Sequence, residues 1–300
     1  MRRLTPTLVA MVLVLSACID GAEPSTTTLT ISDTPTTAGP STTTTVPDTT
    51  TTVPAGEPVT TFYFEDSGAI RPGTGPFLVA VHETARSGVP AAALAALLDG
   101  PPDAATEAGI SSEIPADVNV VSLAVGSDGI ATVELSPEFD DGGGSASMFG
   151  RLAQLTYTLT AYPSIDSVLL LENGSVVEVF SGEGIVLDGP MVREDFEDQL
   201  PGILVESPGW GAPVSLPFEA SGTAAAFEAA FQAQLLVDDN VVFEPPFVMS
   251  ENGIGFAPFT FEVDADIVPP TDAVLRVWEF SAEDGSVISE RFVPITVIDS

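Results

Sequence analysis

The chain has 300 residues, 44% of them hydrophobic, and carries 43 acidic against 8 basic side chains, a formal net charge of -35. It has no lysine; the basic residues are Arg2, Arg3, Arg71, Arg86, Arg151, Arg193, Arg276 and Arg291, and so acidic a surface repels phosphate backbones, which excludes nucleic-acid binding. Cys18 is the only cysteine, so an internal disulfide and paired-thiol zinc or redox centres are excluded as well.

Met1-Arg2-Arg3 is a basic start, and the apolar run from Leu8 to Leu15 that follows is too short to span a bilayer. Leu15-Ser16-Ala17-Cys18 resembles a bacterial lipobox, with small residues where a lipoprotein signal peptidase needs room. The resemblance implies a signal peptide over residues 1–17 and a mature N-terminus at Cys18 bearing a diacylglycerol. At about 0.8 kcal/mol per buried CH2, two acyl chains hold a protein stably to a membrane. Residues 18–58 form the anchor and a Thr/Pro-rich stalk, with repeats such as Thr42-Thr43-Thr44-Thr45-Val46-Pro47 and no apolar periodicity; disorder is expected here. Forty such residues reach about 120 Å if fully polyproline II.

Residues 59–188 read as one small α+β domain. Thr61 to Phe64 and Phe77 to Val81 are aromatic or β-branched runs that predict strands, with a Gly/Pro loop from Asp66 to Pro76 between them. Pro90 opens a helix over Ala91 to Leu98, with Leu94, Leu97 and Leu98 on one face, and Gly100-Pro101-Pro102 stops it. Val118 to Val125 and Ile130 to Leu135 are strands joined by Ser127-Asp128-Gly129; Ala131, Val133 and Leu135 share the buried face. Ser145 is placed to cap a helix over Met148 to Tyr162, whose Met148, Leu152, Leu155 and Leu159 form a core stripe. Ser167 to Glu172 and Ser175 to Phe180 then predict a hairpin through Asn173-Gly174, a turn that accounts for the glycosylation-like Asn173-Gly174-Ser175.

Five blocks in this order resemble the GerMN family of sporulation and spore germination domains: Leu97-Leu98-Asp99-Gly100-Pro101; Gly109 to Pro115; Ala131 to Ser136; Gly142-Gly143-Gly144; and Arg151 to Thr160. The resemblance covers roughly Thr60 to Asp188. It implies a fold similar to the ring-building modules of spore-channel proteins, and it implies no catalytic residues.

A charged linker over residues 189–202, with a short helix in Pro190 to Leu200, leads to residues 203–300. Here strands are expected at Ile203 to Glu206, Val214 to Ala220, Phe227 to Val237, Val241 to Phe243, Phe259 to Val263, Ala273 to Phe280 and Ser286 to Val297, separated by Pro, Gly and Asp clusters; this is the pattern of a β-sandwich. The stretch is similar to the immunoglobulin-like domain associated with bacterial spore germination proteins, through Pro208, Pro213-Val214, Ser221 to Ala224, Phe227-Glu228-Ala229 and the final apolar strand.

The candidate reactive groups favour structural roles. His82 has no evident partner for base chemistry. Asp140-Asp141-Gly142-Gly143-Gly144 lacks EF-hand spacing, and Asp238-Asp239-Asn240 and Asp264-Ala265-Asp266 fit turns between strands. Trp210 and Trp278 are expected in core or inter-domain packing rather than as ligand platforms. No catalytic residue, cofactor site or metal site is assigned; Cys18, for lipidation, is the one site residue. The sequence thus describes a lipid-anchored protein on the extracytoplasmic face of the membrane, with a non-enzymatic structural or protein-interaction role in the envelope, by a partner or by self-assembly. The alternative is a lipoprotein that binds a cation, peptide or envelope polymer for a transporter or sensor.

Overall fold

The computed structural model describes residues 56–66, 75–85, 87 and 89–299. Cys18, the signal segment and the Thr/Pro stretch lie outside the described residues, as does most of the expected Asp66 to Pro76 loop.

The first half begins with a long antiparallel pair, β1 (Glu57–Glu65) and β2 (Phe77–Ala85). Helix α1 (Pro90–Asp99) starts on Pro90, where a missing N–H costs nothing, and ends at Gly100, whose φ of 85° an L-side chain would resist. Leu94 and Leu97 are fully buried and Leu98 packs at the core margin; each of the first two contributes about 1.5–3 kcal/mol. A short helix α2 (Asp103–Glu107) and strand β3 (Ile110–Ser111), neither anticipated, follow before β4 (Val120–Val125) and β5 (Ile130–Leu135). In β5 the expected Ala131, Val133 and Leu135 face the core.

Helix α3 (Ser145–Thr160) opens three residues earlier than expected. Ser145 does not cap it: Gly144 occupies that position without a side-chain bond, while Ser145 Oγ donates to Glu183 Oε2 at 2.6 Å. Met148, Leu152, Leu155 and Leu159 are buried as the stripe requires. After α3, β6 (Ser167–Glu172) runs parallel to β5, and β7 (Ser175–Val176) returns through Asn173 and Gly174 at φ 49° and 73°, both in the left-handed region a type I′ turn needs. The return strand does not continue to Phe180 as expected. It breaks after Val176, and β8 (Val179–Phe180) pairs instead with β9 (Ile185–Val186). The half therefore holds a sheet of order β2-β1-β3 and a sheet of order β4-β5-β6-β7.

A 3-10 turn at Arg193–Gln199 occupies the expected connecting helix. Beyond it lie β10 (Ile203–Ser207), β11 (Ala212–Val214), β12 (Phe218–Ala224), β13 (Ala230–Val237), β14 (Asn240–Phe243), β15 (Val248–Met249), β16 (Ala257–Val263), β17 (Thr271–Phe280) and β18 (Val287–Val297). Two expected strands are corrected. Val214 to Ala220 divides between β11 and β12, which join different sheets across Pro217, a residue unable to donate to a ladder. Phe227 to Val237 starts with a tight turn in which Glu228 and Ala229 take φ of 55° and 61°, so only Ala230 onward is strand. The result is a β-sandwich: β10-β12-β16 faces β11-β18-β17-β13-β14, with β15 added on β13. Inward side chains from both sheets, among them Phe231, Leu235, Phe259, Leu275 and Ile295, make one core. Gly222 allows the close approach within the smaller sheet, since a Cβ there would run into the Leu204 carbonyl.

Candidate interaction surfaces

Helix α3 carries a second, polar stripe that apolar periodicity does not reveal. Arg151, Gln154 and Thr158 lie one above another and all are buried. Strand β1 meets β3 only at Phe64 and Glu65, which leaves the backbone of Phe62 facing the helix. Thr158 Oγ1 accepts the Phe62 N–H at 3.1 Å, and Gln154 Nε2 donates to the Phe62 carbonyl at 3.0 Å. The Gln154 carbonyl oxygen in turn accepts from Glu113 N at 2.8 Å. Arg151 spends its fork on three carbonyls: Nε on Glu113 O at 2.9 Å, one terminal nitrogen on Phe139 O at 2.7 Å, the other on Gly142 O at 2.9 Å. The Asp140 to Gly144 loop is thereby held by an arginine. Burial pushes the Asp140 carboxyl up and the Arg151 guanidinium down from their ordinary values.

The two halves join through backbone. Trp210 N donates to Ala80 O at 2.8 Å and His82 N to Trp210 O at 2.9 Å, so Trp210 extends the sheet at the free edge of β2. Gly209 permits the approach, because a Cβ would sit 3.1 Å from the Ala80 carbonyl oxygen. On the other side Gly211 N donates to Pro294 O at 2.8 Å, which fastens the same segment to β18. Arg291 from β18 meets Glu65 of β1 at 3.1 Å. Arg193 bonds both oxygens of Glu206 and lies 4.7 Å over the Tyr157 ring. His82 belongs to this seam, where burial lowers its proton affinity. Glu83, its neighbour, accepts from Thr61 Oγ1 at 2.6 Å and from the Tyr63 hydroxyl at 2.9 Å, and burial raises its carboxyl and the Tyr63 phenol alike. Trp210 is thus an inter-domain residue, as expected. Trp278 is 5% exposed beneath the Arg276 guanidinium at 4.1 Å, so it presents no open face to a ligand.

Of the two acidic clusters of the sandwich, one is a turn and the other an irregular connection. Asp238 and Asp239 form the β13–β14 turn at φ 48° and 62°, with Asn240 Nδ2 donating to Asp238 O. Asp264 to Asp266 leads from β16 toward β17. Among the described residues no group of three His, Cys, Asp or Glu side chains is placed to hold a metal ion, and no helix is long and apolar enough to cross a membrane.

Among the described residues, β4 and β14 each end a sheet. β4 ends its sheet, and Val120, Val121 and Val125 are 40%, 60% and 41% exposed, on both faces of the strand. A bulge at Val121 opposes Val120 and Ser122 to consecutive residues of β5. β14 ends the larger sandwich sheet, with Val241 and Val242 exposed. Neither strand carries a charged residue, the usual device that blunts an edge.

Residues 61–178 match the family model described as sporulation and spore germination (Germane), and residues 202–286 match the one described as immunoglobulin-like domain of bacterial spore germination (Gmad2). Among solved structures, the tandem GerMN domains of the sporulation protein GerM from Bacillus subtilis are 16% identical over 82% of this chain, at a TM-score of 0.41; the chain spans 62% of that structure. The first GerMN domain of the same protein is 20% identical over 46% of this chain and 99% of its own length, at a TM-score of 0.38. No curated protein matches. The chain therefore carries a sporulation and spore germination domain followed by an immunoglobulin-like domain of bacterial spore germination.

Proposed function

We propose that the protein is a non-enzymatic interaction module of the cell envelope, held on the extracytoplasmic face of the membrane by lipid on Cys18. Residues 1–17 are the signal peptide, residues 18–58 the anchor and stalk, residues 59–188 and 203–300 the two working domains, and residues 189–202 their linker. The observation that carries the reading is the β4 edge, which ends its sheet among the described residues, uncharged and valine-bearing, in a molecule whose polar candidates are committed to holding its fold together. Such an edge takes up a strand of a partner through backbone bonds, with side-chain pockets setting choice. The seam supports the same role, since two domains fastened by backbone present their surfaces in one fixed arrangement.

Photo-crosslinking on intact cells tests the interaction, with the reactive group at position 121 and, as a control, at Glu219 on the smaller sandwich sheet. The expected result is a discrete protein adduct from 121 only; no adduct from 121, or the same adducts from both, refutes the β4 edge. Membrane fractionation tests the anchor. Cys18→Ser is expected to move the protein to the soluble fraction, and retention of the variant in the membrane refutes lipid anchoring at Cys18.

A further inference from the structure

A second surface, independent of the β4 edge, lies on the outer face of the larger sandwich sheet. A groove of about 490 Å³ crosses three strands there. Its floor is apolar: Leu236 of β13, Val274 of β17 and Pro294 of β18 are direct cross-strand neighbours, and Phe292, 40% exposed, lies beside them. Its rim holds Asp238 and Asp239 of the β13–β14 turn and Asp272 at the start of β17, all three exposed. Neutralisation from within the molecule is absent among the described residues. Arg276, the cation of the neighbouring row, is committed to Glu290 at 2.6 Å and to the Trp278 ring, Arg193 to Glu206, Arg291 to Glu65, and Arg151 to carbonyls. The three rim carboxylates also fail to converge as a metal site would require.

We infer that this groove docks an extended segment of a second protein that bears lysine or arginine among apolar residues. The floor removes apolar surface from water, and long basic side chains lie along it while their charged heads reach the rim. Charge complementarity names the partner class. A second copy of this chain has no lysine, and the arginines among its described residues are already engaged, so those residues offer no free cation. The volume falls within the range of about 300–1,000 Å³ usual for binding clefts.

The test uses the full-length chain with Cys18→Ser and a fluorescein-labelled octapeptide of alternating leucine and lysine, read by fluorescence polarisation. Octapeptides of alternating leucine and glutamate, and of alternating serine and lysine, are the comparisons; the leucine–lysine probe is expected to bind at least tenfold tighter than either. Asp238→Asn, Asp239→Asn and Asp272→Asn combined, and separately Phe292→Ser, are each expected to weaken it at least tenfold. Asparagine tolerates the left-handed backbone at 238 and 239, and at 272 its carbonyl oxygen still accepts from Thr296 Oγ1, so the triple variant keeps its fold. Removing the same charge from the other sheet, by Glu219→Gln, Glu262→Gln and Asp264→Asn, is expected to change binding less than twofold. Equal binding of the serine–lysine peptide, or equal weakening by the control triple, would assign the effect to the diffuse acidic surface and overturn the groove. So would unchanged binding in groove variants that melt like the parent. Self-association by light scattering that the groove triple abolishes would assign the groove to a second copy and overturn the partner class.

Discussion

Replacing Arg151 with methionine asks whether the polar stripe of α3 holds the first domain together. Arg151 is 3% exposed, and its guanidinium donates to Glu113, Phe139 and Gly142 carbonyls at 2.7–2.9 Å. A hydrogen bond from a charged donor contributes about 1.5–3 kcal/mol net, and an unpaired buried carbonyl costs about 1–3 kcal/mol. The bond to the Phe139 carbonyl is buried, whereas the bonds to Glu113 and Gly142 are partly exposed and water can replace them at lower cost. Against the loss stands relief from burying a charge, the same cost that lowers the proton affinity of Arg151. The balance is a destabilisation of about 3 kcal/mol, which at a urea slope of about 2–3 kcal/mol/M moves the midpoint down by about 1–1.5 M. Urea titration of the full-length chain, followed by tyrosine and tryptophan fluorescence, measures it. Arg151→Lys should fall between parent and Arg151→Met, because one ammonium lacks the planar fork that reaches three separated carbonyls. A loss under about 1 kcal/mol for Arg151→Met would refute the account and mean that the Asp140 to Gly144 loop holds its shape without the arginine.

Glu83→Gln probes the half-buried carboxyl. Burial raises it above the ordinary 4.5, so its protonated form is favoured in the fold, and the stability this gives is present at low pH and lost as pH rises through the folded value. Glutamine still accepts from Thr61 and Tyr63; the variant should melt at or above the parent at pH 7, with the gap closing toward pH 4, and a parent that is more stable at pH 7 contradicts the assignment. At the seam, Glu65→Gln leaves the buried Arg291 without its counter-charge and should cost about 2 kcal/mol by urea unfolding, below the value for a fully buried pair because Glu65 is 24% exposed. Arg291→Met added to Glu65→Gln should recover part of that loss; no recovery would mean that the pair contributes packing and little charge.

Apolar patterning made much of the fold legible. The alternation in Ile130 to Leu135 and the stripe Met148, Leu152, Leu155 and Leu159 gave the right buried faces, and Asn173-Gly174 gave the right turn. Ser145 misled because it is the first residue inside the helix: Gly144 takes the cap position without a side-chain bond, and the serine donates to Glu183 instead. The long strand expected over Val214 to Ala220 failed at Pro217, and the one over Ser175 to Phe180 failed where the ladder to β6 ended. Both errors came from joining short β-prone runs without knowing which sheet each would enter.

Residue types and local spacing alone determined the acidic, lysine-free character, the signal and stalk segments as expectations, the two family resemblances and the apolar cores. These follow from composition and from periods of 2 and 3.6, which the chain carries along its own length. Tertiary structure decided the rest: that Gln154 and Thr158 complete the unpaired edge of β1, that Trp210 extends β2, that β4 and β14 end their sheets among the described residues, and that Leu236, Val274, Phe292 and Pro294 meet three aspartates at one groove. Each of these depends on which distant strand or helix satisfies a backbone group or buries a face. A hydrogen bond from Gln154 to Phe62 spans 92 residues, and no local pattern encodes its partner.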